Sequence, residues 1–453
     1  MKKIKLLLTM AVIVFTTMIC CSMSAFALTE GDWEFQLLDN EVTISGYLGS
    51  GGDVVIPDTI YGCPVTKVIL DSGKTLETAT EISFPKTVTE IKNIASYSKT
   101  LKKVNLNEGL KIIRYRAFEN CQQLEHVNLP STLEVIEEYA FRDCKSLASS
   151  IMIHQSVTEI EKGAFENSGI TNLTFVNANP KMGEFVFARC KNLKKADLGT
   201  ALSTVSGYAF TDCEALEELI IPNTVTMIQT SSFGNCVSLK EIILPTSLKM
   251  IGFQAFEGCT GIKQVVIPYG VVSVDSSFNN CTNLEAVFVP DTVTDKYPVF
   301  FKGADNAIVY CSAESKAAEI CKDRSISYLT DSSVNSGIHV YYNGKRISFH
   351  SYGQNPEILE GRTLVPLRSI FEAMGADVEW DGATSTAIAK RGNVEVKITI
   401  GASEIYKNGK AIPVDVPAML LNSRTMVPAR VIAEAFGADV QWNGNGRIVL
   451  ITE

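Results

Sequence analysis

The stretch Cys121–Phe141, "CQQLEHVNLPSTLEVIEEYAF", returns almost in outline at Cys236–Phe256 as "CVSLKEIILPTSLKMIGFQAF". Between and around these copies, phenylalanine recurs at 118, 141, 165, 187, 210, 233, 256 and 278, a near-constant interval. Three places after each comes cysteine (121, 144, 190, 213, 236, 259 and 281), with Ser168 as the exception. A fixed period of this length is the signature of a stacked-repeat architecture.

Each unit reads as one coil. In "LEHVNLP", Val127 and Leu129 share one face of a short strand, while His126 and Asn128 share the other. Pro130 stops the strand because it offers no N–H to a ladder. The return stretch turns Leu133, Ile136, Ala140 and Phe141 inward. One coil cannot bury that apolar side alone, so neighbours must stack. Strand-like segments upstream ("GDVVIP", "TKVIL", "EISFP", "KKVNLN") bring the expectation to about a dozen coils of ~23 residues. At the spacing of adjacent strands, the rod should be about 55–60 Å long.

The pattern "LP..L..I...AF..C" resembles the BspA-type leucine-rich repeats of bacterial surface antigens, over about residues 30 to 328. The opening from Gly31 resembles that family's N-terminal cap, and "IVYCSAESKAAEICKDRSISYL" its closing strand–helix–strand. The units at Ser149–His154 and Thr171–Pro180 lack the "LP", so irregularity is expected there. Stacked coils set equivalent Cα atoms about 5 Å apart, within reach of a disulfide. The column's side chains would nevertheless lie parallel, each filling the same small inward slot as a compact hydrophobe. Cys311 and Cys321 in the closing cap are the better pair for a bridge. No CxxC or histidine cluster accompanies the column, so zinc is unsupported.

Residues 1–27 have the layout of a secretory signal peptide: three lysines, an apolar run from Leu6 to Cys21, and the small-residue site "AFA". A retained anchor would need about 20 apolar residues. A lipoprotein would need a small residue before the modified cysteine, where Ile19 precedes Cys20. With cleavage near Ala27–Leu28, about 425 residues remain, more than one compact core accommodates. No second long apolar segment follows, so the mature chain is expected to carry no integral membrane segment. A net charge of −9 without a basic stripe argues against nucleic acid as a partner.

The polar stretch 329–337 reads as a linker, and two copies of one unit follow it. "GRTLVPLRSIFEAMGADVEW" (Gly361–Trp380) is echoed by "SRTMVPARVIAEAFGADVQW" (Ser423–Trp442), at one constant offset throughout. Asn343-Gly344 and Asn408-Gly409 supply tight hairpin turns. Pro366 and Pro428 read as first-turn residues of two helices. The apolar sets Leu367, Ile370, Phe371, Met374 and Ala429, Ile432, Ala433, Phe436 form one stripe each. Gly375 and Gly437 stop the helices, and valine and tryptophan then share a strand face.

Residues 338 to 453 resemble the copper amine oxidase N-terminal-like domain, a small α+β module of secreted bacterial proteins. The resemblance implies no catalysis, because that family's three copper histidines and quinone-forming tyrosine belong to a separate large domain. This chain has only His126, His154, His339 and His350. The last two flank a hairpin, and two imidazoles make a weak copper site. Arg362 and Arg424 are the duplicated residues without a plain folding role: they can bridge carbonyls, or bind a ligand carboxylate as accessory-domain candidates. Arg368 with Glu372, and Arg430 with Glu434, form i,i+4 pairs on the helices.

The fold expectation is therefore a multidomain chain: signal peptide 1–27, β-rich leucine-rich-repeat solenoid 28–328, linker 329–337, and duplicated α+β domain 338–453. No acid, base and nucleophile converge, no phosphate loop precedes a helix, and no cofactor is implied. A binding protein is favoured over a structural spacer, with an enzyme third. The outward strand columns discriminate. One reads Asn105, Asn128, Met152, Thr174, Asp197, then Ile220, Ile243, Val266, Phe288. Its neighbour reads Lys103, His126, Ser150, Asn172, Lys195, then Glu218, Glu241, Gln264, Ala286. An apolar stripe beside acidic residues marks Ile220, Ile243, Val266, Phe288, Glu218 and Glu241 as candidate partner-binding residues. Two blander readings remain open: β-branched residues merely suit strands, or the C-terminal domain covers the stripe. The expected partner is an extracellular protein or glycan, a cell-wall polymer included, met outside the cell or at the envelope.

Overall fold

The computed structural model describes residues 27–294, 302–335, 337–343, 345–349, 354–359, 361–443 and 447–453. The signal-peptide expectation and His350 lie outside the described residues.

The described residues between 28 and 330 wind into a spiral of about 12 turns, each of about 23 residues. It opens with a hairpin, Trp33–Leu38 against Glu41–Tyr47. Two columns of short parallel strands then follow the rod. On the back, Cys63–Ile69, Glu90–Lys92, Ile112–Ile113, Val135–Ile136, Glu159–Ile160 and Lys181–Met182 pair in sequence order. On the front, Ser150–His154, Asn172–Val176, Lys195–Asp197 and Glu218–Ile220 form one ladder, and Gln264–Val266, Ala286–Phe288, Ile308–Cys311 and Tyr328–Thr330 another.

The irregularity expected at the two coils that lack "LP" is present: a new front ladder starts at Ser150–His154, and the back ladder ends at Lys181–Met182. Both coils nevertheless carry five-residue strands, longer than their neighbours in the array. The front ladder breaks beside Ser149, whose hydroxyl accepts the Val127 N–H, and again at the coil carrying Ile243.

A third column has no strands. At the first seven of the repeat phenylalanines the backbone N–H donates to the carbonyl of the residue just before the next coil's phenylalanine, as Phe141 does to Ala164 and Phe233 to Ala255. Two places after each phenylalanine the chain turns left-handed, at Asn120, Asp143, Asn167, Arg189, Asp212, Asn235, Gly258 and Asn280. Asparagine, aspartate and glycine dominate these positions because they tolerate that conformation best.

The eight phenylalanine rings lie inside and stack face to face, with centroids 5.1–5.5 Å apart and planes within 3–17°. Beside them, six thiols donate to the carbonyl of the previous coil's phenylalanine at 3.1–3.3 Å; the seventh, Cys121, donates to Ala95 O. Ser168 keeps the column polar by bonding the Cys190 sulfur at 3.4 Å. Cys311 and Cys321 are buried and unbridged. The helix Lys316–Asp323, capped by the Ser315 hydroxyl, closes the rod's apolar end.

The final strand Tyr328–Thr330 carries the solenoid ladder into the segment read as linker. The rest of that segment includes a 3-10 turn, Ser332–Asn335, pinned to the rod by Asn335, which bonds Asp291 and Ser312. Beyond it, three sheets and two seven-residue helices, Leu367–Ala373 and Ala429–Ala435, enclose a second core. Pro366 and Pro428 end strands and occupy the helix N-cap, one position earlier than the sequence suggested. Asn408 and Gly409 take positive φ in a two-residue hairpin turn.

Candidate functional site

Two regions gather apolar and charged groups. The first lies where the C-terminal domain meets the front of the rod. Phe288 stacks on Tyr310 at 4.6 Å, and the Arg346 guanidinium sits over the Phe288 ring at 4.4 Å. Arg346 also pairs with Asp331 at 2.9 Å, and its Nε donates to His339 Nδ1 at 3.2 Å. Burial, with the nearby Arg346 charge, holds the His339 imidazole well below its ordinary pKa. It is therefore a neutral acceptor at neutral pH. Next to this lock a cavity of about 300 Å³ opens, lined by Glu241, Ile243, Val266, His339, Tyr341 and Leu450 among others.

The second region belongs to the duplicated domain alone. The strands Arg362–Pro366 and Arg424–Pro428 pair antiparallel, and equivalent residues Val365 and Val427 face each other at the centre. This register creates a local two-fold axis between the copies. Two grooves of about 680 and 710 Å³ follow, each lined by both copies. One joins Arg362 and Thr363 of the first copy to Pro428, Arg430 and Trp442 of the second. The other joins Arg424 and Thr425 of the second to Pro366, Arg368 and Trp380 of the first. Trp442 is 42% exposed and Trp380 47%.

Comparison with known families follows the same division. The BspA type Leucine rich repeat region matches residues 74–194 and 180–308, together more than half of the chain. The chain belongs to the BspA-type leucine-rich repeat family. The Copper amine oxidase N-terminal domain matches residues 341–451 of this BspA-type protein.

Among solved structures, the chain is similar to a Treponema pallidum leucine-rich repeat protein, at 25% identity over 47% of this chain and 91% of that one, with a TM-score of 0.38. It is also similar to a leucine-rich cell surface protein of Faecalibacterium prausnitzii, at 22% identity over 66% and 98%, TM-score 0.36. The pneumococcal vaccine antigen PcpA is 18% identical over 68% and 100%, TM-score 0.38. No curated protein matches the chain.

Several residues singled out in the sequence of this BspA-type protein now have a place. Phe288 corrects the exposed-stripe expectation: it is 5% exposed, because Arg346 and Tyr310 cover it. Ile243 and Val266 are half-buried and face the cavity, and Ile220 is half-buried farther along the rod. Glu218 is exposed and ion-paired across the ladder with Lys195 at 2.6 Å, while Glu241 lines the cavity. Arg362 bonds Asp415 at 2.6 Å through Nε. That contact lowers the Asp415 carboxyl's pKa. Arg362 and Arg424 do not meet; each enters its own groove.

Copper does not fit. His339 Nδ1 accepts from Arg346, and among the described residues no three His, Cys, Asp or Glu side chains gather to hold a metal. No described helix is long and apolar enough to cross a membrane.

Sequence reasoning missed Arg346, Asp331 and Arg391. Arg391 donates to the carbonyls ending both helices, Met374 at 2.9 Å and Phe436 at 3.1 Å, and pairs with Glu453 at 2.6 Å. None of the three repeats, so no period marks them.

Proposed function

We propose that this BspA-type protein is a secreted or cell-surface binding protein without catalysis. The solenoid recognises an extracellular protein or glycan, and the C-terminal domain serves envelope association or accessory binding. Membership of a repeat family supports a recognition role, since stacked repeats present a long surface. The signal-peptide layout supports export.

The observation that carries the reading is that Ile243 and Val266 open into a cavity between rod and domain, beside Glu241 and Tyr341. Binding sites concentrate at such domain junctions, where apolar walls meet a few placed polar groups. Substituting serine at both Ile243 and Val266 tests it. Tm should move by less than about 4 °C, a shift near 1 kcal/mol for a domain of this size, while attachment to cells or wall preparations weakens. A larger fall in Tm would mean the pair is core, and would favour the spacer reading.

That second reading has its own support. The C-terminal domain covers the last member of the stripe, Phe288, as a domain fixed to a rigid rod would. Fractionating cells into wall, membrane and medium separates the two, because a binding protein follows its ligand.

A further inference from the structure

The twin grooves of the C-terminal domain have a chemistry that folding does not require. Each leaves a tryptophan, the largest apolar side chain, nearly half exposed on an edge strand. Each sets two arginines beside that indole: Arg362 and Arg430 in one, Arg424 and Arg368 in the other. The floor is apolar, with Val440 and Val449 in one groove and the equivalent Val378 and Ala387 in the other. The pairing is a product of the two-fold, so the same chemistry is presented twice.

We infer that these grooves bind an acidic polysaccharide, each holding one carboxylate-bearing sugar. The indole and its apolar surround offer a flat face to the C–H side of a pyranose ring, where dispersion and apolar burial act together. A guanidinium receives a carboxylate in a bidentate fork, which a lysine cannot do. The Arg362–Asp415 pair is about half exposed on both sides, so it contributes little and can be exchanged for a ligand carboxylate. The helix pairs Arg368–Glu372 and Arg430–Glu434 are long, at 3.9 Å, and leave those arginines loosely committed. The other acid at the rim, Glu379, is engaged by Lys390 at 3.5 Å. A ligand meeting two equivalent grooves must present one group repeatedly. A polymer of acidic sugars does so by construction.

The inference rests on the envelope-association reading for its biological setting, but not for its chemistry. The test uses the full chain with polygalacturonate, a galacturonate trimer, dextran and poly-L-glutamate, read by calorimetry and tryptophan fluorescence. The trimer should bind at two sites per chain. Trp380→Ala or Trp442→Ala should reduce that to one and lower affinity for the long polymer about 10²-fold, as two-site attachment is lost. The double variant should not bind. Dextran and poly-L-glutamate should bind at least tenfold more weakly than polygalacturonate.

Equal binding of poly-L-glutamate would assign the grooves to acidic peptides and overturn the proposal. Equal binding of dextran, or binding that survives the double variant, would overturn it too. Should the tryptophan variants misfold, Arg368→Gln with Arg430→Gln, both exposed, must produce the same loss. If polygalacturonate binds but the protein never remains with the wall, the envelope reading fails and the grooves stand. If wall retention needs this domain but polygalacturonate does not bind, only the groove proposal fails.

Discussion

Arg346 and Asp331 form an ion pair at 2.9 Å in which each side chain is only 2% exposed. Asp331 follows the last strand of the rod, and Arg346 belongs to the first hairpin of the C-terminal domain. The pair therefore fastens one core to the other. Breaking it from one side leaves a buried charge uncompensated, at a cost of about 3–5 kcal/mol. Arg346→Met should split thermal unfolding into two separate transitions, while Asp331→Leu with Arg346→Met should largely restore a single one. Calorimetry reads both, and an unchanged single transition in Arg346→Met would contradict the lock.

Acid should loosen the same junction. The His339 imidazole, kept neutral by burial and then by Arg346, is held below its ordinary value. Above about pH 6.5 it is neutral folded or unfolded, so its contribution is constant. Below that, the unfolded chain takes up a proton that the native site resists, so stability falls as pH falls. Denaturation at pH 7.5 and pH 5.5 should show this slope in the native sequence and a shallower one in His339→Asn. Equal slopes would assign the effect elsewhere.

Phe256 is the seventh of the eight stacked rings, between Phe233 at 5.2 Å and Phe278 at 5.4 Å. Phe256→Ala should destabilise the solenoid by about 3–5 kcal/mol. The loss should uncouple the coils on either side, since each coil contacts only its neighbours. Urea midpoints that barely move would remove the ring stack from the core.

The cysteine column should be chemically quiet. Burial pushes the Cys190 thiol up to about 12 and holds Cys213 well above its ordinary value. Little thiolate forms at pH 8, and thiolate is the reactive species. Native alkylation followed by peptide mapping should label Cys63, which is half-buried, and spare Cys190 and Cys213. Labelling of the column in the native state would show the coils opening.

Arg391 caps both helices of the duplicated domain from outside them. Arg391→Met removes two charge-assisted hydrogen bonds, worth about 1.5–3 kcal/mol each, and leaves two helix ends less satisfied. Arg391→Met should move the C-terminal domain's unfolding below the solenoid's and so split the single transition, with Trp380 and Trp442 fluorescence following the earlier step.

The repeat frame was open to reading because Phe141, Cys144 and Leu147 recur with the coil, and a recurring core position must mean stacking. The thiol-to-carbonyl bond of Cys144 to Phe118 was not, since it crosses between coils and depends on their lateral offset. The left-handed turn at Asn120 leaves a trace in the asparagine or aspartate two places after six of the eight phenylalanines, with Arg189 and Gly258 at the other two. In the C-terminal domain, helix stripes and stops were plain from spacing, yet the grooves were invisible. Each is made of residues from opposite copies, and only the strand register at Val365 and Val427 brings Arg362 to Trp442. Phe288 misled for a related reason: its apolar character was plain, but its cover comes from Arg346, which belongs to a different fold much later in the chain.

The contact between Arg391 and Glu453 has a history written into it. The two occupy the same place in their respective copies, at the offset that also relates Trp380 to Trp442. In an ancestral homodimer of single cassettes, that position would have faced its own kind: arginine against arginine, or glutamate against glutamate. A single chain carrying both cassettes is free of that constraint, and here opposite charges sit across the axis. A lone cassette of this chain, expressed by itself, should therefore seek a second cassette, and the two halves mixed should choose each other over themselves.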